Sequence, residues 1–342
     1  MMRSSTPQGK RAASYQPRAA GKFSRQSQGT GASRSKSVTA ASRRANSLLT
    51  PGMTCETAFR TIARRCVDNL SVNQDATMRG NREALHKMRV ALTRFRTAVS
   101  FFSPMVLDPE WTRLKGELKW LKDYLSAARD LDVAMETFRT KKGNRVHPKS
   151  DIRAWEKRWS VSRRRLVRAL RSRRYHLLIK ATSKWIENGP WSVRADKLSK
   201  ERRTAPIVQF SARGLSRWYK KQSKKSRELK DMDSHRRHRL RISSKKLRYA
   251  IEFAGNLFPK KHSSRRRDML AHVRTAQKLL GDLNDAEIGH SLAASLERSP
   301  SELSSGENRS KQFALSKRRK KRLVQAAKLA YQKMARMQPF WE

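Results

Sequence analysis

From Thr54 onward, apolar residues return every three or four positions rather than every second one. Phe59, Ile62, Cys66 and Leu70 make one such stripe, and Leu85, Met88, Leu92, Phe95 and Val99 make another. This period predicts helices over roughly 54–73, 80–103, 109–126, 129–140, 151–173 and 174–188, and again over 207–231, 234–258, 264–281, 284–297 and 309–337. Thr54 is placed to cap the first of them. The stretch 187–206 carries Gly189, Pro190 and Pro206 and reads as a linker or irregular crossover, and the Ser/Gly-rich 299–308 reads as a loop. No strand alternation appears, so the expected class is all-α. Residues 1–50 lack any hydrophobic period. They hold ten Lys/Arg and no acid among many Ser, Gly, Ala and Gln, which predicts a disordered basic tail. A transit peptide has the same composition, and that alternative stays open at this stage.

Charge changes the picture more than length does. Lys and Arg number 80 against 28 Asp and Glu in 342 residues, a formal net charge of +52. That excess goes beyond the needs of solubility and points to a large polyanionic partner. Hydrophobic content is 37%, enough for a core if helices carry it, and the modest totals of Gly (14) and Pro (11) suit long helices. No uncharged run exceeds 11 residues, too short to span a bilayer. The two cysteines, Cys55 and Cys66, read as half-buried reduced thiols, which suggests a reducing compartment.

The chain repeats itself. His86-Lys87-Met88-Arg89-Val90, followed by Arg94-Phe95-Arg96, matches His238-Arg239-Leu240-Arg241-Ile242, followed by Lys246-Leu247-Arg248, at an offset of 152. Leu125–Val133 matches Leu280–Ile288 at an offset of 155, and Arg165-Leu166-Val167 matches Arg322-Leu323-Val324 at 157. Three echoes in one order imply a duplicated helical unit, with a first repeat at about 54–188, a linker at 189–206 and a second repeat at about 207–338 within a domain covering 51–342.

At about 100° per residue, His86, Arg89, Thr93 and Arg96 share an arc of about 80° on their helix, with Arg82 one turn earlier. His238, Arg241, Lys245 and Arg248 share the same arc in the second copy. Apolar residues flank both stripes: the Leu85–Val99 face on one side, and Val90, Ile242 and Tyr249 on the other. A basic stripe between apolar flanks suits a helix that packs while lining a groove. Arg supplies bidentate bonds to phosphate oxygens, Lys adds an adaptable charge, and a His beside phosphates gains a proton. Asp130 and Asp285 follow Leu-Ser and Leu-Gly pairs that read as tight turns, so each is expected to start a new helix as a cap or to orient the basic stripe, with Arg129 and Asn284 beside them in structural or orienting roles. Clusters such as Arg163-Arg164-Arg165 and Arg265-Arg266-Arg267 are expected on outer faces, and Trp155, Trp159, Trp185 and Trp218 in packing.

These motifs resemble a known family. The H-x-x-R-V…R-F-R stretch at 86–96, L-x-x-A-R-D-x-D-V at 125–133, H-x-x-R-I…K-K-L-R-Y at 238–249 and L-G-x-L-N-D at 280–285 are similar to the hallmark pieces of the CHAD domain, the conserved histidine α-helical domain. The resemblance covers about 54–338, with Ser126 standing where the family's first half usually has Gly. It implies two helical bundles related by a pseudo-twofold axis around a basic central channel or groove that binds inorganic polyphosphate. The contacts it implies are Arg82, His86, Arg89, Arg96, His238, Arg241, Lys245 and Arg248. It also implies a cytoplasmic place at polyphosphate granules.

Catalytic signatures are missing. No two glutamates are two apart, as a tunnel-type triphosphatase would need, and no P-loop, H-E-x-x-H or C-x-x-C occurs. The sequence therefore reads as a non-enzymatic binder without cofactor or metal. Non-specific DNA or RNA binding is the alternative, although helix-turn-helix, zinc-finger and RNA-recognition signatures are lacking. The oligomeric state is left open.

Overall fold

The computed structural model describes residues 49–140, 149–295 and 314–342, and side chains outside 138–140 and 149–151. The expected basic tail and the loop 299–308 lie outside these residues, apart from Leu49 and Thr50. Residues 46–342 form one unit. The described residues hold twelve α-helices: α1 Cys55–Val72, α2 Gln74–Met78, α3 Arg82–Phe101, α4 Ser103–Val106, α5 Pro109–Thr140, α6 Lys149–Arg171, α7 Arg173–Asn188, α8 Lys197–Thr204, α9 Ile207–Ser226, α10 Ser234–Ala254, α11 Ser263–Ala294 and α12 Lys317–Ala335. They hold no strand, only an isolated bridge between Thr54 and Pro206, so the fold is all-α.

Local chemistry sets the helix starts. The Thr54 side chain accepts from Thr57 N at 3.2 Å and Asn81 Oδ1 accepts from Ala84 N at 2.9 Å, satisfying amides that have no partner inside their helices. Gly80, at φ 90°, makes the sharp turn into α3 that a side chain would resist. Three expectations need correction. The linker is partly helical: Asp196 caps α8, and Trp191 is fully buried on a 3₁₀ turn, so this crossover is pinned to the core. The helices expected at 109–126 and 129–140 are one helix, α5, and those at 264–281 and 284–297 are one helix, α11. The reason is packing. Leu114, Leu118, Leu121, Leu125, Ala128 and Leu131 are all buried, so the apolar period runs unbroken past Ser126, and Leu270, Val273, Ala276, Leu280 and Leu283 do the same past Gly281. Asp130 and Asp285 therefore cap nothing; they are mid-helix side chains.

The core runs through both repeats. Phe59 meets Trp185 and Trp191 edge-on with centroids 5.9 and 5.3 Å apart. Buried Asp108 accepts from Trp111 N, Trp185 Nε1 and Trp191 N, which fixes the start of α5 to the crossover. Gly214 of α9 lies so close to Phe101 of α3 that a Cβ there would stand 2.8 Å from the ring. Cys55 and Cys66 are both free and fully buried rather than half-buried, and burial pushes each thiol up to about 12.

Helix pairing preserves the duplication. α3 packs on α1 and α5, as α10 packs on α9 and α11; α5 packs on α6, as α11 packs on α12. Between the repeats, α3 meets α10 and α5 meets α11. Equivalent helices thus face each other, as a pseudo-twofold axis between the copies requires.

Candidate anion-binding groove

The seam between α3 and α10, flanked by α5 and α11, gathers the predicted stripes. Arg89 Nη2 lies 3.6 Å from Asp130 Oδ1, across from α3 to α5. Arg89 also interacts with Arg129, Arg241 and Asp285, and Lys245 with Arg241, Arg89, Arg248 and Asp285. Three cations from both copies, Arg89, Arg241 and Lys245, thus share the carboxylates Asp130 and Asp285, and a fourth, Arg129, stands against Arg89 and His86. All four cations are half-buried.

Burial shifts the proton affinities of the cluster. Burial, then Arg241, Arg89 and Arg248, brings Lys245 down to about 8. Burial lowers Arg89 despite Asp130, and burial raises Asp130 despite Arg89. Partial burial, then Arg129, Arg89 and Lys245, lowers the pKa of His86, which remains solvent-accessible. Burial leads each of these shifts, and at Lys245 and His86 the neighbouring cations add to it. The Nε–H groups of Arg241 and Arg248 are buried and make no hydrogen bond among the described residues.

The histidines are not alike. His238 Nδ1–H donates to Asn284 Oδ1 at 2.7 Å, so an amide from α11 orients this ring. Arg129 holds the equivalent position for His86 and repels its proton instead. Arg82 Nε lies 4.0 Å from Asp132 Oδ1. Asp132 is completely buried, accepts twice from Arg163 Nη2 at 3.1 Å, and accepts from Trp159 Nε1 at 2.8 Å. Arg163 is thus a buried bracket for α5 and α6, not part of an outer face as expected. Asp132 is not among the residues singled out from the sequence, although it stands inside the A-R-D-x-D-V motif, two residues after Asp130. Its equivalent Glu287 accepts from Ser234, the equivalent of Arg82, so the repeat keeps the link and changes its chemistry.

Arg96 is not drawn into the central cluster. It lies with Lys246, Lys115 and Lys221 farther along the seam. Arg248 faces Glu252 at 3.9 Å and stacks 4.6 Å from the Tyr249 ring. The expected apolar flank holds at Val90 and Tyr249 but not at Ile242, which is 43% exposed. The tryptophans pack: Trp155 and Trp185 are buried, Trp218 meets Phe101 edge-on at 5.2 Å, and none of the eight is exposed. A cavity of about 1040 Å³ between α11 and α12 is lined by none of the stripe residues.

Known proteins fit this arrangement. The CHAD domain profile matches residues 61–294, more than half of the sequence, and the chain belongs to the CHAD domain family. Among solved structures it is similar to the CHAD domain from the plant Ricinus communis, at 25% identity and a TM-score of 0.67 over 85% of this chain and 95% of that one. It shares its fold with PptA from Streptomyces chartreusis, at 14% identity and a TM-score of 0.55 over 82% and 99%. No curated protein matches the chain.

Proposed function

We propose that this CHAD domain binds inorganic polyphosphate in the α3–α10 groove, without chemistry on the bound chain, and that it does so at polyphosphate granules in the cytoplasm. The observation that carries the reading is the convergence of Arg89, Arg241 and Lys245 on two carboxylates, with Arg129 as a further cation beside Arg89. A phosphate chain supplies the missing negative charge at close spacing and accepts the guanidinium forks in pairs. It also favours a proton on His86 and on Lys245. Asp130 and Asp285 are engaged with the arginines, which suits orientation of the clamp rather than proton transfer.

Non-specific nucleic-acid binding draws on the same net charge. Base stacking, however, needs an accessible ring, and every described Trp, Tyr and Phe side chain is buried or half-buried. No described helix is long and apolar enough to cross a membrane. The test replaces Arg89, Arg96, Arg241, Lys245 and Arg248 together by Ala. Loss of polyphosphate binding with helix content retained is expected. Undiminished binding by that variant, with loss on deleting residues 1–50, would overturn the groove.

A further inference from the structure

The two ends of the α3–α10 seam are equivalent by the repeat, with Arg94 matching Lys246, Arg96 matching Arg248 and Ser100 matching Glu252. Their electrostatics are opposite. At one end Glu252, whose side chain is 9% exposed, accepts from Arg94 Nη1 at 2.6 Å and Arg274 Nη2 at 3.1 Å, with Arg248 Nη1 at 3.9 Å. The Arg94 guanidinium also lies over the Tyr249 and Phe253 rings at 5.2 and 4.9 Å. A single acid thus occupies three arginines. At the other end Ser100 stands in the acid's place, and its Oγ accepts from Lys246 Nζ at 3.2 Å. The same ammonium feels the positive charges of Arg96, Lys221 and Lys115. None of these four cations has a carboxylate within 4.0 Å among the described residues.

We propose that Arg96, Lys115, Lys221 and Lys246, gathered about Ser100, form a second anion site that takes the phosphates of a condensed-phosphate chain overrunning the central groove, while Glu252 closes the opposite end. The proposal rests on the polyphosphate reading above and adds a direction to it. Half-burial holds Lys246 in place, the Ser100 hydroxyl is a further donor to a phosphate oxygen, and Lys115 and Lys221 are exposed and free to follow the chain. Arg96 is two helical turns beyond Arg89, roughly 10 Å at 1.5 Å per residue. A chain of a few phosphates therefore fills the central cluster alone, and only a longer one reaches the second site.

Chain length is thus the variable that tests the site. The full chain and its Ser100→Glu variant, which copies the closed end, are titrated with tripolyphosphate and with long-chain polyphosphate at about 0.15 M salt. The variant is expected to bind the long chain about five- to tenfold more weakly, with a shallower dependence on salt, and tripolyphosphate within twofold of the parent. Should Ser100→Glu unfold, the exposed pair Lys115→Gln and Lys221→Gln carries the same test with the same expected selectivity. Equal losses for both ligands, or no loss for the long chain, would overturn the second site. A parent protein that binds neither ligand would instead overturn the polyphosphate reading beneath it.

Discussion

Lys245 is held charged against its surroundings, and removing its charge should make the free protein more stable. Burial and three arginines bring its pKa from 10.5 to about 8. At about 1.4 kcal/mol per tenfold change in proton affinity, that fall corresponds to about 3 kcal/mol set against the ammonium at pH 7. Lys245→Met keeps the aliphatic stem and drops the charge, so unfolding by urea at pH 7 should show a gain approaching that figure. The pH dependence fixes the cause. Because the folded pKa is the lower one, the unfolded chain holds more protons between pH 8 and 10.5, and stability rises with pH through that window. At pH 9.5 the parent's Lys245 is already mostly neutral, so the gap between variant and parent should shrink to about 1 kcal/mol. The same variant should bind polyphosphate more weakly at pH 7, a case of stability exchanged for function. The parent's affinity should fall as pH rises above 8, because the bound chain requires the Lys245 proton, and should rise further at acid pH where binding brings a proton to His86. A variant less stable than the parent at pH 7, or a gap that does not change with pH, would refute this account of the groove.

Three other positions give independent checks. Asp132→Ala strands Arg163 in the interior and should cost about 3–5 kcal/mol in chemical denaturation, far more than loss of the long Arg82 contact alone would. Gly214→Ala pushes a methyl group against Phe101 and should lower stability by about 1–3 kcal/mol, read as a lower thermal midpoint. Cys55 and Cys66, with thiols pushed up to about 12, should stay inert to a thiol reagent at pH 8 and react only on unfolding, and fast labelling of the folded protein would contradict their burial.

Much of the fold was legible in the sequence because the duplication prints the same helical period twice. The repeated H-x-x-R stripes pointed to Arg89, Arg241 and Lys245, which meet across the axis. The continuity of α5 and α11 was not legible. Leu-Ser and Leu-Gly before an Asp look like a stop and a cap, and only the neighbours that bury Leu121, Leu125 and Ala128 in one register settle the matter. Arg163 misled for a related reason: three consecutive arginines read as one solvated cluster, yet on a helix they point in different directions, and one of them meets Asp132. The contrast between Ser100 and Glu252 was present at the same offset of 152 as the His-Arg motif. It acquired meaning only once α3 and α10 were known to touch, because each residue serves cations of the other copy.

The central claim is that the groove, rather than charge in general, selects a phosphate chain. Residues 46–342 form one unit, so 51–342 and the full chain are compared, each titrated with long-chain polyphosphate, duplex DNA and RNA at equal phosphate, at about 0.15 M salt and at several times that. The account predicts that 51–342 retains polyphosphate at the higher salt while DNA and RNA are released. Equal competition among the three polymers, all lost together as salt rises, would contradict it.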